Sequence, residues 1–482
     1  MSGTTHVISL DPVTRIEGHL KAEVTVENGR VTDARMVGGM YRGFESILAG
    51  RDPADAPQIV QRICGVCPVS HDTAACLALE DAAKTAVPPN GRIARNLMLA
   101  ANYLQSNILH FYHLAGQDYF RGPDTAPFIP RYARPDLRLP PSLNTQAVEQ
   151  YLEALEVRQV CHEMVALLGG RMPHVQGMPA GGAAQIPTKE TILEYAGRMK
   201  RVRDFAHNRF LPLAYAIAGV YRDLFDMAHG YGDALCAGAF PLDDTRGGKQ
   251  AFRPGLWLNG RDAPFDPSLI REDTRHAWFT PSPEDSGALF PPSGAAPEPD
   301  PDRKDAYTFV KAPSYAGRRL EVGPAARMWI NDTPLSAVGR ERLPEVLGTR
   351  AETVRDMGAD NVFSLMGRQL TRAEEVHHTI GLIEGWLREL TPGEPTFLPP
   401  DIPEEADGMG FTEAPRGALG HAVRIRNGRI ERYAVLAASM WNFSPRDAAG
   451  QRGPVEEALI GVPVPDPDSP VNVGRVIRAF DP

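Results

Sequence analysis

Two Asn-Gly pairs, Asn28-Gly29 and Asn427-Gly428, each sit between runs in which apolar and polar residues alternate. Such a pair adopts the left-handed conformations that a two-residue hairpin turn needs, so it fixes which flanking residues face each other. The first joins Leu20–Val26 to Arg30–Val37, with a further strand-like run, Val7–Leu10, ahead of it. The second joins Ala422–Arg426 to Arg429–Leu436. With one hairpin near each end of 482 residues, the expectation is that the two share a sheet and bring the termini together.

Between the hairpins the pattern turns helical. Residues Gly91–Gly116 space Leu97, Leu99, Ala100, Leu104, Ile108 and Leu109 as a helix does. Phe111, Tyr112, His113 and Asp118 near its end predict burial against a polar partner. Residues 146–169, 188–229 and 369–391 read as three more long helices, a core of the packed-helix kind. Residues 240–345 are rich in Pro and Gly, with short strand-like pieces such as Tyr307–Lys311, and Pro281 to Asp305 reads as an exposed loop. The expected fold class is α+β, a core of long packed helices with peripheral β-hairpins. The expected organisation is one 482-residue unit: hairpin and cysteine motif over 1–90, helical core over 91–235, a Pro/Gly-rich mixed region over 236–345, then helix, second hairpin and C-terminal segment over 346–482.

A net charge of −9 with no basic block argues against a nucleic-acid partner. No apolar run approaches the ~20 residues that cross a bilayer, so the chain is not expected to span a membrane. Met-Ser-Gly-Thr-Thr-His has neither a basic nor an apolar region, so no export signal is expected on this chain itself; export alongside a partner is compatible with that. Cys64, Cys67, Cys76, Cys161 and Cys236 are too few and scattered for a disulfide framework, and the last three read as buried small hydrophobes.

The chemistry concentrates in Arg62-Ile-Cys64-Gly-Val-Cys67-Pro-Val-Ser-His71, the one Cys-x-x-Cys of the chain. Gly65 and Pro68 supply turn chemistry that aims two sulfurs the same way. A zinc site needs a second ligand pair at short spacing, and none is present. A thioredoxin-like dithiol follows a strand in a βαβ unit, which is not the context here. A di-iron bundle site needs two Glu-x-x-His pairs, and Glu374, Glu375, His377 and His378 form the single candidate cluster. A soft-metal centre with ligands from elsewhere remains. Elsewhere, Glu17 between Arg15 and His19 reads as a charged loop acid with proton handling as the alternative, and Glu45 as an exposed loop acid.

Arg62–His71 resembles the N-terminal metal-binding motif of the large subunits of nickel-iron hydrogenases. The resemblance runs along the chain through Arg15-Ile-Glu-Gly-His19, Arg42-Gly-Phe-Glu45, Gly170–Gly177, Glu413-Ala-Pro-Arg-Gly417 and Gly453–Gly461. Phe111–Leu114, Pro123–Ala133 and Gln451–Asp466 look closest to the nickel-iron-selenium branch. The resemblance implies reversible heterolytic cleavage of H2 at a nickel-iron centre bearing CO and cyanide. Cys64 would be a terminal nickel ligand, Cys67 the bridge to iron, and His71 a donor to the bridging sulfur. Glu17 would relay the proton from a buried carboxyl with a raised pKa. Pro415 and Arg416 would lie over the centre, with Arg416 and Ser439 donating to the two cyanides and Asp118 and Asp481 pairing with Arg416. Glu45 and the carbonyl of Val435 would hold a separate magnesium or iron ion.

In such proteins two more thiolates come from a C-terminal Asp-Pro-Cys-x-x-Cys-x-x-His. Here the sequence reads Asp481-Pro482, and the expectation is selenocysteine next, followed by x-x-Cys-x-x-His. Five cysteines cannot also ligate iron–sulfur clusters, which take about four thiolates each, so an iron–sulfur small subunit is implied. A redox partner such as a cytochrome and a periplasmic location, reached with the small subunit and in places membrane-associated, follow from the same resemblance; a cytoplasmic location is the second choice. The competing reading is an H2 sensor or unmetallated scaffold of the same fold.

Overall fold

The computed structural model describes residues 5–245, 247–281, 288–292 and 296–482. At the N-terminus β1 (Thr5–Leu10), β2 (Leu20–Glu27) and β3 (Arg30–Gly38) form an antiparallel sheet in that order. Alternation in β2 buries Leu20, Ala22, Val24 and Val26, and Asn28 and Gly29 turn the hairpin with φ of 52° and 74°. A second antiparallel sheet holds β4 (Ala406–Ala414), β5 (Gly417–Arg426) and β6 (Arg429–Leu436), with Asn427 and Gly428 at φ 51° and 68°. Both hairpins therefore form where the Asn-Gly pairs place them, but in separate sheets. The second is claimed by β4, which lies flat on helix Pro68–Ala83; a Cβ on Gly408 or Gly410 would run into the backbone of Ala78 or Ala74. The ends of the chain still meet, through loops. Val31 donates to the carbonyl of Val462 at 3.0 Å, Val464 to that of Gly29 at 2.8 Å, and Glu17 to that of Pro482 at 3.3 Å.

The principal helices are α1 (Pro68–Ala83), α2 (Pro89–Leu109), α3 (Pro141–Gly169), α4 (Lys189–Phe205), α5 (Leu211–Val220), α6 (Pro324–Ile330), α7 (Leu365–Glu389) and α8 (Val471–Phe480). One apolar cluster runs from Val13 to Phe480 and takes residues from β2, β3 and all of these helices. The 188–229 stretch is not one helix. Thr188 caps α4 by accepting from the amide of Thr191, a wide turn follows over Ala206–Phe210, and α5 restarts with Pro212 in its first turn. Proline has no N–H to continue the ladder, which accounts for the wide turn, through which the backbone stays helical. α2 likewise ends at Leu109 and passes into a wide turn over His110–Ala115.

In the Pro/Gly-rich region the strand begins at Ala312, not Tyr307: Ala312–Tyr315 pairs with Ile270–Asp273. The expected exposed loop is also corrected in part, since Leu289 and Phe290 are buried against Phe411 and Trp441 in a second apolar cluster; residues 282–287 and 293–295 lie outside the described residues. Cys76, Cys161 and Cys236 are buried. Among the described residues, no helix is long and apolar enough to cross a membrane.

Candidate metal centre

Cys64 follows a single helical turn, Gln61–Ile63, in extended backbone, and Cys67 is the residue before α1, with Pro68 in the first helical turn. Proline suits that position because its missing N–H would have had no partner there. The turn brings the sulfurs into direct, disulfide-type contact across a Cα–Cα distance of 5.4 Å. The amide of Cys67 donates to Sγ of Cys64 at 3.1 Å. Cys67 also stands at the positive end of a 16-residue helix. Neighbours hold the turn. Gln105 donates to the carbonyl of Val66 at 2.7 Å, and Arg42 donates to those of Arg62 and Ile63 at 2.8 and 2.5 Å. Both cysteines are buried, packed with Val66 against Leu109.

Glu17 reaches this turn from the loop between β1 and β2: its Oε1 accepts from the amide of Gly65 at 3.3 Å, while its own amide bonds to Pro482. The expected burial of Glu17 is not found, because its loop runs along the surface of this chain and leaves the residue exposed. Through Glu17, the chain's last residue is seated beside the thiol pair.

Asp481 and Arg416 lie behind that last residue. Their side chains are 4% or less exposed and approach to 3.0 Å, Nη2 to Oδ1, within ion-pair distance but out of line for a hydrogen bond. Burial pushes the Asp481 carboxyl up, but Arg416, His110 and Arg372 together hold it below the usual carboxylate range. Arg416 is aimed by its backbone. Arg327 on α6 donates to the carbonyls of Ala414 and Pro415 at 2.8 Å each, and its remaining N–H groups meet Glu375 and Glu413 at 2.7–2.9 Å. Gly417 at φ 130° lets this turn pass Val322 and Gly323, where a Cβ would collide. Ser439 is half-buried on the short helix Ala438–Asn442 after β6, and its hydroxyl has no partner among the described residues.

Asp118 does not pair with Arg416. Its carboxylate accepts from Arg478 at 2.5 and 2.8 Å and from Arg15 at 2.5 Å, at the end of the turn that follows α2. Burial opposes its ionisation, but Arg15 and Arg478 outweigh that and hold its pKa down. His71 is buried on α1 with Nδ1 3.1 Å from Nε2 of His421. Glu374 and Glu375 are spoken for by Ser336, Tyr215 and Arg327, which removes them as di-iron ligands.

Do these residues fit a nickel-iron centre with anionic diatomic ligands? Nε, Nη1 and Nη2 of Arg416 are buried without an aligned acceptor, as are Nε of Arg372 and Nε2 of Gln369. Buried donors without an aligned acceptor are costly, and Asp481 answers the charge of Arg416 without accepting its N–H groups, so this guanidinium suits a further anionic acceptor. The residues fit. Among the described residues no three His, Cys, Asp or Glu side chains close a metal site, so the pair supplies part of a ligand set. Of the residues expected to hold the second ion, Glu45 is brought to Val435, whose amide donates to Oε1 at 2.9 Å. Lys311 and Arg432 stand 3.6 and 3.5 Å from the same carboxylate, and Lys311 also pairs with Glu272 at 2.8 Å.

Arg327, Gln105, Gln369, Arg372 and His421 escape a reading of the sequence, since each acts through partners distant along the chain.

A family profile described as nickel-dependent hydrogenase matches residues 42–124 and 120–482, and a HoxL-like profile matches residues 7–37. The periplasmic [NiFeSe] hydrogenase large subunit of Desulfomicrobium baculatum is 51% identical, with 98% of this chain and 93% of that protein aligned. The hydrogenase-2 large chain of Escherichia coli K12 is 31% identical over 98% of this chain and 95% of that one. The solved Ni-Fe-Se hydrogenase of D. vulgaris Hildenborough superposes with a TM-score of 0.97 at 57% identity, covering 99% of this chain and 98% of that one. The thiol pair, the aimed guanidinium and these likenesses agree: the chain belongs to the nickel-dependent hydrogenase family, as a large, catalytic subunit of the [NiFeSe] type.

Proposed function

We propose that this chain splits dihydrogen at a nickel-iron centre that Cys64 and Cys67 would hold in part. The observation that carries the reading is a buried thiol pair with the chain's last residue seated at its turn through Glu17, and behind that residue the buried Arg416 guanidinium, ion-paired to Asp481 but with no aligned acceptor for its N–H groups. When bound, the centre supplies the Lewis acid that makes dihydrogen acidic enough to lose a proton. Arg416 and Ser439 would donate to the centre's anionic diatomic ligands, Pro415 would lie over them, and Asp481, 3.0 Å from Arg416, would keep it turned inward. His71 would donate to the Cys67 sulfur. Glu17, 3.3 Å from the amide between the two cysteines, takes the proton at its carboxylate and passes it outward. Asp118 acts at one remove, fixing Arg478 and Arg15.

The whole chain acts as one unit, a reading supported by the apolar cluster shared from Val13 to Phe480. Electrons leave to an iron–sulfur small subunit and on to a redox partner such as a cytochrome. The Desulfomicrobium relative's name supports a periplasmic location, reached together with that subunit.

The test is metal content. Purified with its small subunit, the protein should hold one nickel and one iron at this centre, and Cys67→Ser should lose both together with H2-dependent dye reduction. A Cys67→Ser protein retaining full metal and activity contradicts the assignment.

A further inference from the structure

Two buried residues, His421 and Tyr433, stand in line behind His71. His71 Nδ1 lies 3.1 Å from His421 Nε2, and His421 Nδ1 lies 2.9 Å from Tyr433 Oη. His421 and Tyr433 are fully buried and His71 is 3% exposed. His421 is on β5, four residues past Gly417, and Tyr433 is on β6, so the sheet that carries the Arg416 turn also carries this pair. The same sheet lies flat on α1, which carries His71.

Two imidazole nitrogens at that distance share one proton: one is N–H, the other offers its lone pair. Which is which is decided at the far end. Among the described residues, the Tyr433 hydroxyl has one hydrogen-bond partner, Nδ1 of His421. A buried O–H needs an acceptor, so Tyr433 donates and His421 Nδ1 accepts. The His421 proton is then on Nε2 and is donated to His71 Nδ1. That leaves the His71 proton on Nε2.

We infer that Tyr433 and His421 are positioning residues that fix His71 as its Nε2–H tautomer, so that the ring presents a hydrogen-bond donor on the side away from His421. A neutral imidazole free to choose would present either a donor or a lone pair, and a lone pair aimed at a thiolate is repulsive. The fixed tautomer is what a histidine serving a bridging sulfur requires. In that last respect the inference rests on the reading of His71 given above.

The proton positions test it directly. Neutron diffraction from perdeuterated heterodimer should show deuterium on Nε2 of both His71 and His421 and none on His71 Nδ1. Deuterium on His71 Nδ1 overturns the relay. Infrared bands of the iron-bound CO and cyanides give a second readout, one that simple loss of packing would not reproduce. Tyr433→Phe and His421→Leu remove the directing donor and should lower the bands, while His421→Gln, whose amide can still donate to Nδ1, should leave them in place. Identical bands in all three metal-loaded variants, with deuterium on Nε2 in the unsubstituted protein, would overturn the His71–Cys67 contact, whereas deuterium still on His71 Nε2 in Tyr433→Phe and His421→Leu would overturn the relay.

Discussion

Arg327 places Nη2 2.8 Å from the carbonyl oxygen of Pro415, and Nη1 at the same distance from that of Ala414. The side chain is fully buried, and its five N–H donors all find acceptors, two on that turn and the rest on Glu375 and Glu413. The residue that follows Pro415 is the one whose own guanidinium, though ion-paired to Asp481, is left without an aligned hydrogen-bond acceptor. One arginine is saturated so that the next can be aimed.

Arg327→Met should therefore be severe. It strands two buried carboxylates, a loss of about 3–5 kcal/mol, and frees the Arg416 turn. Chemical denaturation of the heterodimer measures the first effect, and the cyanide infrared bands the second. Unchanged stability would contradict the clamp.

Gly417→Ala tests the same turn from its backbone. At φ 130° an L side chain is strained, and its Cβ would sit 2.8 Å from the amide nitrogen of Gly323 as well as against Val322. A loss of roughly 1–3 kcal/mol is expected from the conformation alone, together with reduced nickel content as Arg416 is displaced. A variant with wild-type stability and activity would show that the close approach is not needed.

Glu17→Gln should behave in the opposite way. The residue is exposed, so stability should hold within about 0.5 kcal/mol, with metal content unchanged. Turnover should fall by about 100-fold or more, the usual scale for losing a positioned proton-transfer group. Full turnover in Glu17→Gln would assign the relay to another residue.

Glu456 predicts a pH effect on stability away from the centre. Burial pushes its carboxyl from 4.5 to about 7, against the donors Met36 N–H, Tyr307 O–H and Gly453 N–H. A carboxyl raised in the folded state contributes most below its unfolded pKa and loses that contribution as pH rises through the folded value. Between pH about 4.5 and 7 the wild type should lose roughly 3 kcal/mol relative to Glu456→Gln. Parallel stability curves for the two proteins would contradict the shift.

Much of the fold could be read from local patterns because its signals are local. Asn28-Gly29 and Asn427-Gly428 carry their turn conformation with them, and the Cys64–Cys67 spacing carries its own geometry. What could not be read depends on partners far along the chain. Which sheet the second hairpin joins is decided by β4 seating Gly408 and Gly410 on α1. Asp118 lies in the expected place, but the arginines it meets are Arg15 and Arg478, 103 and 360 residues away. The exposure of Glu17 follows from a loop path that residue types do not encode.

Heterolytic cleavage is the central claim, and isotope exchange reports it without requiring electron transfer to a partner. Purified heterodimer under H2 in D2O should release HD at a rate that falls with Cys67→Ser. HD formation at the buffer background from protein carrying its full nickel and iron would contradict the account.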